Sequence, residues 1–279
     1  LRGRDSMKKK LAAVVAAGLA VCLSAFMLAG CGNSGDNKAS DSGETKTLTV
    51  GFDAEYPPYG YVADDGSYTG FDLDLAQKVC EMEGWEFKAE ASDWEAKDAL
   101  LGSGSINCIW NGFSIEGREG DYAFTDPYMK NGQVVVVRAG SDIKSLADLK
   151  GKIVLTQKGS AALDVLNDDR KDLADTFKEL QTIGDYNNAF MQLESGAVDA
   201  VACDLSIAAY QLAAKPDAFV QLDEALSEEN YGVGFAKDDT ETAAKVTEDL
   251  KKLNEQGEIE KLCDKYADQG ISYSNWLIK

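Results

Sequence analysis

Asp93 to Arg118 reads D-W-E-A-K-D-A-L-L-G-S-G-S-I-N-C-I-W-N-G-F-S-I-E-G-R, and its first part recurs without gaps 92 positions later, where Asp185 to Val201 reads D-Y-N-N-A-F-M-Q-L-E-S-G-A-V-D-A-V. In that register Asp93 matches Asp185, Trp94 matches Tyr186, Leu101 matches Leu193, Gly104 matches Gly196, and Ile106-Asn107-Cys108-Ile109 matches Val198-Asp199-Ala200-Val201. Each copy reads as a short helix ended by a glycine suited to a left-handed cap, followed by a β-rich run suited to a buried strand. Helix then strand, twice, predicts an α/β protein of two lobes. A plain duplication of a core unit gives the same string, and then no site need be present.

Ligands of open α/β sheets sit beyond the carboxyl ends of the strands. Those ends are Trp110-Asn111-Gly112-Phe113-Ser114 in the first copy and Ala202-Cys203-Asp204 in the second. A cleft between facing lobes would receive Arg118 from one side and Asp204 from the other. A fixed cation opposite a fixed anion suits a zwitterion. Without a cleft, the same two residues read as surface ion-pair partners.

The 279 residues include no histidine, which excludes Ser-His-Asp and Cys-His catalysis and the usual zinc sites. No cofactor or metal is expected. The formal charge is −20, and removing residues 1–30 leaves 23 basic residues against 47 acidic ones. That excess disfavours nucleic acid and argues against lying flat on an anionic membrane.

Met7-Lys8-Lys9-Lys10, the apolar run from Leu11 and the ending Leu28-Ala29-Gly30-Cys31 follow the layout of a secretory signal, with residues 1–6 outside it. The ending resembles a bacterial lipobox, which implies acylation of Cys31 and a lipid anchor. An uncleaved membrane helix is the alternative. Residues 32–45 read as a flexible tether.

Downstream, strands are expected at Thr47–Phe52, 85–89, Gln133–Val137, 151–156, 177–181, 219–222 and 231–235. Helices are expected from Gly70 to about Glu83, over Asp142–Leu149, from Ser160, over Ser206–Ala214, and from Thr240 to Tyr266 with a break at Gly257. Asp72 reads as an N-cap more readily than as a ligand contact. Cys80, Cys108, Cys203 and Cys263 are left as buried thiols or disulfides.

Tyr56-Pro57-Pro58-Tyr59, Gly70-Phe71-Asp72-Leu73-Asp74-Leu75, Phe124-Thr125-Asp126-Pro127-Tyr128, Asp148-Leu149-Lys150-Gly151-Lys152, Gly196 to Val201 with Asp204, and Tyr231-Gly232-Val233-Gly234-Phe235 resemble, in order and spacing, one family. It is that of the type II periplasmic solute-binding proteins of polar amino-acid ABC importers, which includes glutamine-, histidine- and cystine-binding receptors. The resemblance implies two Rossmann-like lobes joined by a two-strand hinge near Tyr128–Val134 and 230–232. Lobe 1 would be residues 46–132 plus 231–279, and lobe 2 residues 133–230. It also implies a monomer outside the cytoplasm that passes its amino acid to ABC permease subunits and has no enzymatic activity.

The resemblance implies site residues as well. Arg118 would take the substrate's carboxylate, with Ser114 as a hydroxyl donor and the backbone around Gly112 and Phe113 as further partners, although Ser114 to Arg118 is one residue shorter than the family's T-I-T-P-E-R form. Ser160 and Ala161 would meet the carboxylate from the second lobe, and Asp204 would meet the ammonium. Tyr56 and Trp94 match aromatic walls, Gln157 matches a position that reads the side chain, and Asp53 and Glu55 are further candidates. Two rival functions remain at this stage. One is a cyclohexadienyl dehydratase-like enzyme drafting Glu55 or Glu116 as its acid, and the other a ligand-sensing module for a membrane kinase.

Overall fold

The alternating run at the start of the body becomes β1 (Thr47–Phe52), whose residues are buried from Leu48 onward in a computed structural model that describes residues 45–279. The expected signal, Cys31 with its expected acylation and nearly all of the expected tether lie outside the described residues. After β1 come β2 (Glu55–Tyr56), β3 (Gly60–Val62) and β4 (Tyr68–Thr69), which form a small antiparallel sheet of their own. Next are α1 (Phe71–Glu83), β5 (Glu86–Ala91), α2 (Lys97–Gly102), β6 (Cys108–Ser114), β7 (Tyr122–Phe124) and β8 (Met129–Arg138). The chain continues through β9 (Ile153–Gln157), α3 (Ala161–Asn167), α4 (Lys171–Ala174), β10 (Glu179–Ile183), α5 (Tyr186–Ser195) and β11 (Ala200–Asp204). It ends with α6 (Leu205–Ala214), β12 (Phe219–Gln221), β13 (Ser227–Ala236), α7 (Thr240–Glu255) and α8 (Glu258–Lys265).

The expected α/β class is the one observed. The large sheet runs β10-β9-β11-β8-β13-β6-β1-β5, with β12 on β8 and β7 on β13. Its outer strands are parallel: β10 and β11 flank β9, and β5 and β6 flank β1. Between these two halves β8 and β13 run antiparallel, paired from Gln133↔Ser227 to Met129↔Tyr231. Past that shared stretch each strand turns to its own half, β8 onto β11 and β13 onto β6. Strands buried on both faces read as continuous apolar runs, which is how Val134 to Val137 of β8 appear in the sequence, although β8 pairs antiparallel with β11, β12 and β13.

Both copies of the repeated unit are helix followed by strand, α2–β6 and α5–β11. Gly196 caps α5 in the left-handed conformation, whereas α2 ends on Ser103 and its left-handed glycine, Gly104, follows one residue later. The strands expected at 85–89 and 177–181 run one or two residues later, at Glu86–Ala91 and Glu179–Ile183, and the expected helix over 142–149 shrinks to a 3-10 turn at Leu146–Leu149.

Asp72 is not an N-cap. Gly70 holds that position at φ 141, where an added Cβ would stand 2.2 Å from the Tyr59 carbonyl oxygen, so the chain enters α1 through a place only glycine fits. Asp72 is instead fully buried and faces inward. The four cysteines of the described residues are buried free thiols, and no described helix is long and apolar enough to cross a membrane.

Candidate functional site

The carboxyl ends of β6, β9 and β11 converge on a cavity lined by Tyr56, Trp94, Asn111, Gly112, Ser114, Arg118, Gln157, Ser160, Ala161 and Asp204. Most of the residues singled out from the sequence therefore stand around one space. Asn111, Gly112 and Ser114 stand on β6, with Arg118 just beyond it and Tyr56 on β2 of the small sheet; Gln157 ends β9, Ser160 and Ala161 follow it, and Asp204 ends β11.

Arg118 is the cation of the lining, with its side chain 12% exposed. Its guanidinium donates to the carbonyls of Ser114 (3.3 Å) and Gly159 (3.4 Å) and to Asp164 Oδ2 (2.9 Å) on α3. It lies 5.0 Å from the centre of the Phe113 ring, a cation–π contact. Phe113 does not line the cavity. It is fully buried, with Trp94, Tyr122 and Phe124 packed around it, and acts as the floor beneath the guanidinium. Asp164 is largely exposed, so its pairing with Arg118 contributes little to stability.

Asp204 is the anion. Its Oδ1 accepts from Asn131 Nδ2 (2.9 Å), Gln133 Nε2 (2.8 Å) and the Tyr231 hydroxyl (3.1 Å); none of these bonds uses Oδ2. Ser114 Oγ, expected to face a carboxylate, instead donates to Glu229 Oε1 at 2.5 Å. Ser160 caps α3 by accepting from Leu163 N at 3.2 Å. Trp94 Nε1 donates across the cavity mouth to the Gly159 carbonyl at 3.0 Å.

Asp53 is set back from the lining. Its Oδ2 accepts from Gln157 Nε2 at 2.7 Å, and Gln157 also donates to the Gly184 carbonyl, so Asp53 orients a residue that does line the cavity. Burial pushes the Asp53 carboxyl up to about 6, against the opposing pull of the Glu55 N–H and of Gln157. Glu55 and Glu116 also lie outside the lining, held by Asn187 and Asn230.

Sequence reasoning missed several residues here. Asn111, quoted only as part of a strand end, lines the cavity and holds Asp53 N with its Oδ1 at 3.0 Å. Asp72 accepts from Gly112 N at 2.6 Å and from the Tyr128 hydroxyl, and burial raises its carboxyl to about 7. Glu229, Asn131 and Gln133 form the layer behind Asp204. Glu229 belongs to Glu228-Glu229-Asn230, a string that looks like exposed loop; no signal in the sequence marks its burial.

The pattern of the bacterial extracellular solute-binding proteins, family 3, matches residues 48–269. The arginine-binding extracellular protein ArtP of Bacillus subtilis is 30% identical over 264 residues, which cover 93% of this chain and 98% of that one. A crystal structure of an ABC uptake transporter substrate-binding protein from Streptococcus pneumoniae with bound histidine superposes with a TM-score of 0.77 at 31% identity, covering 81% of this chain and 94% of that chain. An ancestral amino-acid-binding protein described as a precursor of cyclohexadienyl dehydratase gives 0.72 at 30% identity, covering 79% and 95%. On the extent of the pattern match, together with the two-half sheet and the cavity between its strand ends, this chain belongs to the bacterial extracellular solute-binding proteins, family 3.

Proposed function

We propose that this protein captures one polar L-amino acid between two closing lobes and hands it to the permease subunits of an ABC importer. The observation that carries the reading is that Arg118 and Asp204, from opposite halves of the sheet, line the same cavity. Burying a carboxylate or an ammonium costs several kcal/mol, on the order expected for any ion taken from water, unless each is paired and hydrogen-bonded. Arginine's planar fork takes a carboxylate by two bonds, and Asp204 offers Oδ2 to an ammonium. Trp94 and Tyr56 cover the ligand's body, and Gln157, oriented by Asp53, meets its side chain. Ser160 and Ala161 add contacts from the second lobe.

The lobes are residues 46–132 plus 231–279, and 133–230. They swing about β8 and β13, and a guest touching both stabilises only the closed form. The mature chain acts as a monomer outside the cytoplasm, held at the membrane by lipid on Cys31. A thermal-shift panel of the twenty amino acids and cystine tests the binding reading. One or a few polar amino acids are expected to raise the melting temperature, and a flat panel would overturn it.

The dehydratase reading draws support from the likeness to the ancestral precursor. The two acids it would draft, Glu55 and Glu116, lie outside the cavity lining, bonded to Asn187 and Asn230. Incubation with prephenate or arogenate separates the two readings: formation of phenylpyruvate or phenylalanine would favour the enzyme.

A further inference from the structure

Behind Asp204, where β8, β11 and β13 meet, acceptors outnumber donors. Glu229 is 5% exposed, and its Oε1 alone receives Ser114 Oγ (2.5 Å), Asn131 Nδ2 (2.6 Å) and Gln133 Nε2 (2.6 Å). The same two amide nitrogens donate to Asp204 Oδ1. An amide NH2 has two hydrogens, so both side chains spend their whole donor capacity tying the two carboxylates together. Their own oxygens, Asn131 Oδ1 and Gln133 Oε1, are buried without a donor among the described residues. Oε2 of Glu229 and Oδ2 of Asp204 stand outside these bonds.

Two buried carboxylates on shared donors resist carrying full charge together, and an acceptor-rich cluster gains from any added hydrogen. A proton is one such addition. An ammonium, with three N–H groups and a positive charge, is another.

We propose that Glu229, one layer behind Asp204, is coupled to the ammonium subsite, and that protonation of the Glu229–Asp204 pair and binding of the ligand's ammonium to Asp204 oppose one another, so that capture of an amino acid expels a proton. This rests on the reading that Asp204 meets an ammonium. Burial, then the Asp204 charge, raises the Glu229 carboxyl to about 7, so the proton is held in a substantial share of unliganded molecules near neutrality. The other charges around Glu229 do not replace Asp204 in this role. Arg118 donates to the Ser114 carbonyl and to Asp164 rather than to Glu229, Glu116 accepts from Asn230, and Lys130 and Glu228 are exposed on the paired strands. From β13 itself the Tyr231 hydroxyl reaches Asp204 as a neutral donor.

The sign follows from competition. Above about pH 7 Glu229 is ionised and the ammonium displaces nothing. Below it each captured amino acid must release a proton, and affinity falls by up to about tenfold per pH unit.

Isothermal titration with the amino acid that gives the largest thermal shift, from pH 5.5 to 8.5 in two buffers of different ionisation enthalpy, counts the protons directly. The wild-type chain is expected to release close to one proton per ligand at pH 6 and to lose about tenfold or more in affinity between pH 7.5 and 5.5. Glu229→Gln keeps an Oε1 for the same three donors and is expected to show neither effect. Tight binding with a flat profile and no proton release overturns this proposal alone, as does a Glu229→Gln variant with the wild-type profile. Absence of binding by every amino acid at every pH overturns it together with the amino-acid reading. The wild-type proton count stands even where the variant does not fold.

Discussion

The two copies of the helix–strand unit begin on the same residue and use it differently. Asp185 caps α5, accepting from Asn188 N at 2.8 Å, and Tyr186 behind it is buried with its hydroxyl near Thr156. Asp93 makes no capping bond; the chain passes through a 3-10 turn at Trp94–Ala96, and that turn carries the Trp94 ring to the cavity. The far ends diverge more. In the 92-residue register Gly112 matches Asp204. At Gly112 the backbone turns to φ 57 and β6 runs on to Ser114, with Arg118 beyond; at Asp204 the strand stops, φ is −60, and α6 begins. One scaffold used twice has thus acquired opposite polarity at its tips, a cation on one and a carboxylate on the other. The two units share their helix–strand order and differ in their last few residues, which is where they meet the cavity.

The strongest test of that polarity removes one tip at a time. Arg118→Ala and Asp204→Ala are each expected to weaken amino-acid binding by roughly 3–5 kcal/mol, the range for orphaning half of a buried charge pair, read by isothermal titration. Retention of affinity within tenfold by either variant would break the comparison.

A second test addresses the support that Gly112 has and Asp204 lacks, the buried Asp72 beneath its N–H. In the folded chain the Asp72 carboxyl, raised to about 7, keeps a proton that the unfolded chain has lost above its ordinary value of 3.8. Unfolding between about pH 4 and 7 therefore releases a proton, and this group's contribution to stability falls as pH rises through that window. Asp72→Asn removes that contribution. Its urea-derived stability should vary by about 2–3 kcal/mol less than wild type between pH 5 and 8, an order-of-magnitude figure from the shift. An unchanged pH dependence would show that Asp72 holds Gly112 in its charged form.

The smallest expected effect sharpens the contrast at the near ends. Asp185→Ala should cost about 1 kcal/mol of stability as a lost N-cap, and Asp93→Ala less than about 0.5 kcal/mol, both from denaturant midpoints. Equal losses would mean that Asp93 caps in solution.

The repeat was legible because helix and strand periods are local, and a buried strand has to be apolar wherever it sits. Arg118 and Asp204 were legible because charged residues just past apolar strands fall at the sheet's carboxyl edge. Asp53 and Phe113, expected among the ligand-binding residues, stand behind the cavity lining, where one orients Gln157 and the other supports Arg118. Ser114, expected to meet a ligand, lines the cavity and donates its Oγ to Glu229. Asp72 carries a capping residue's chemistry at the second residue of α1, but Gly70 holds the cap position and Asp72 is buried.

Residue order alone carried the α/β class, the duplicated unit and the two charges of opposite sign, because each depends on neighbours within a dozen positions or on a spacing that repeats. The burial of Glu229, the sharing of Asn131 and Gln133 between two carboxylates, and the set-back of Asp53 were decided when β8 paired with β13 and Gln157 reached Asp53. Those pairings join residues about a hundred positions apart. A charged string has no local sign of being buried until a distant strand closes over it and takes its hydrogen bonds from water.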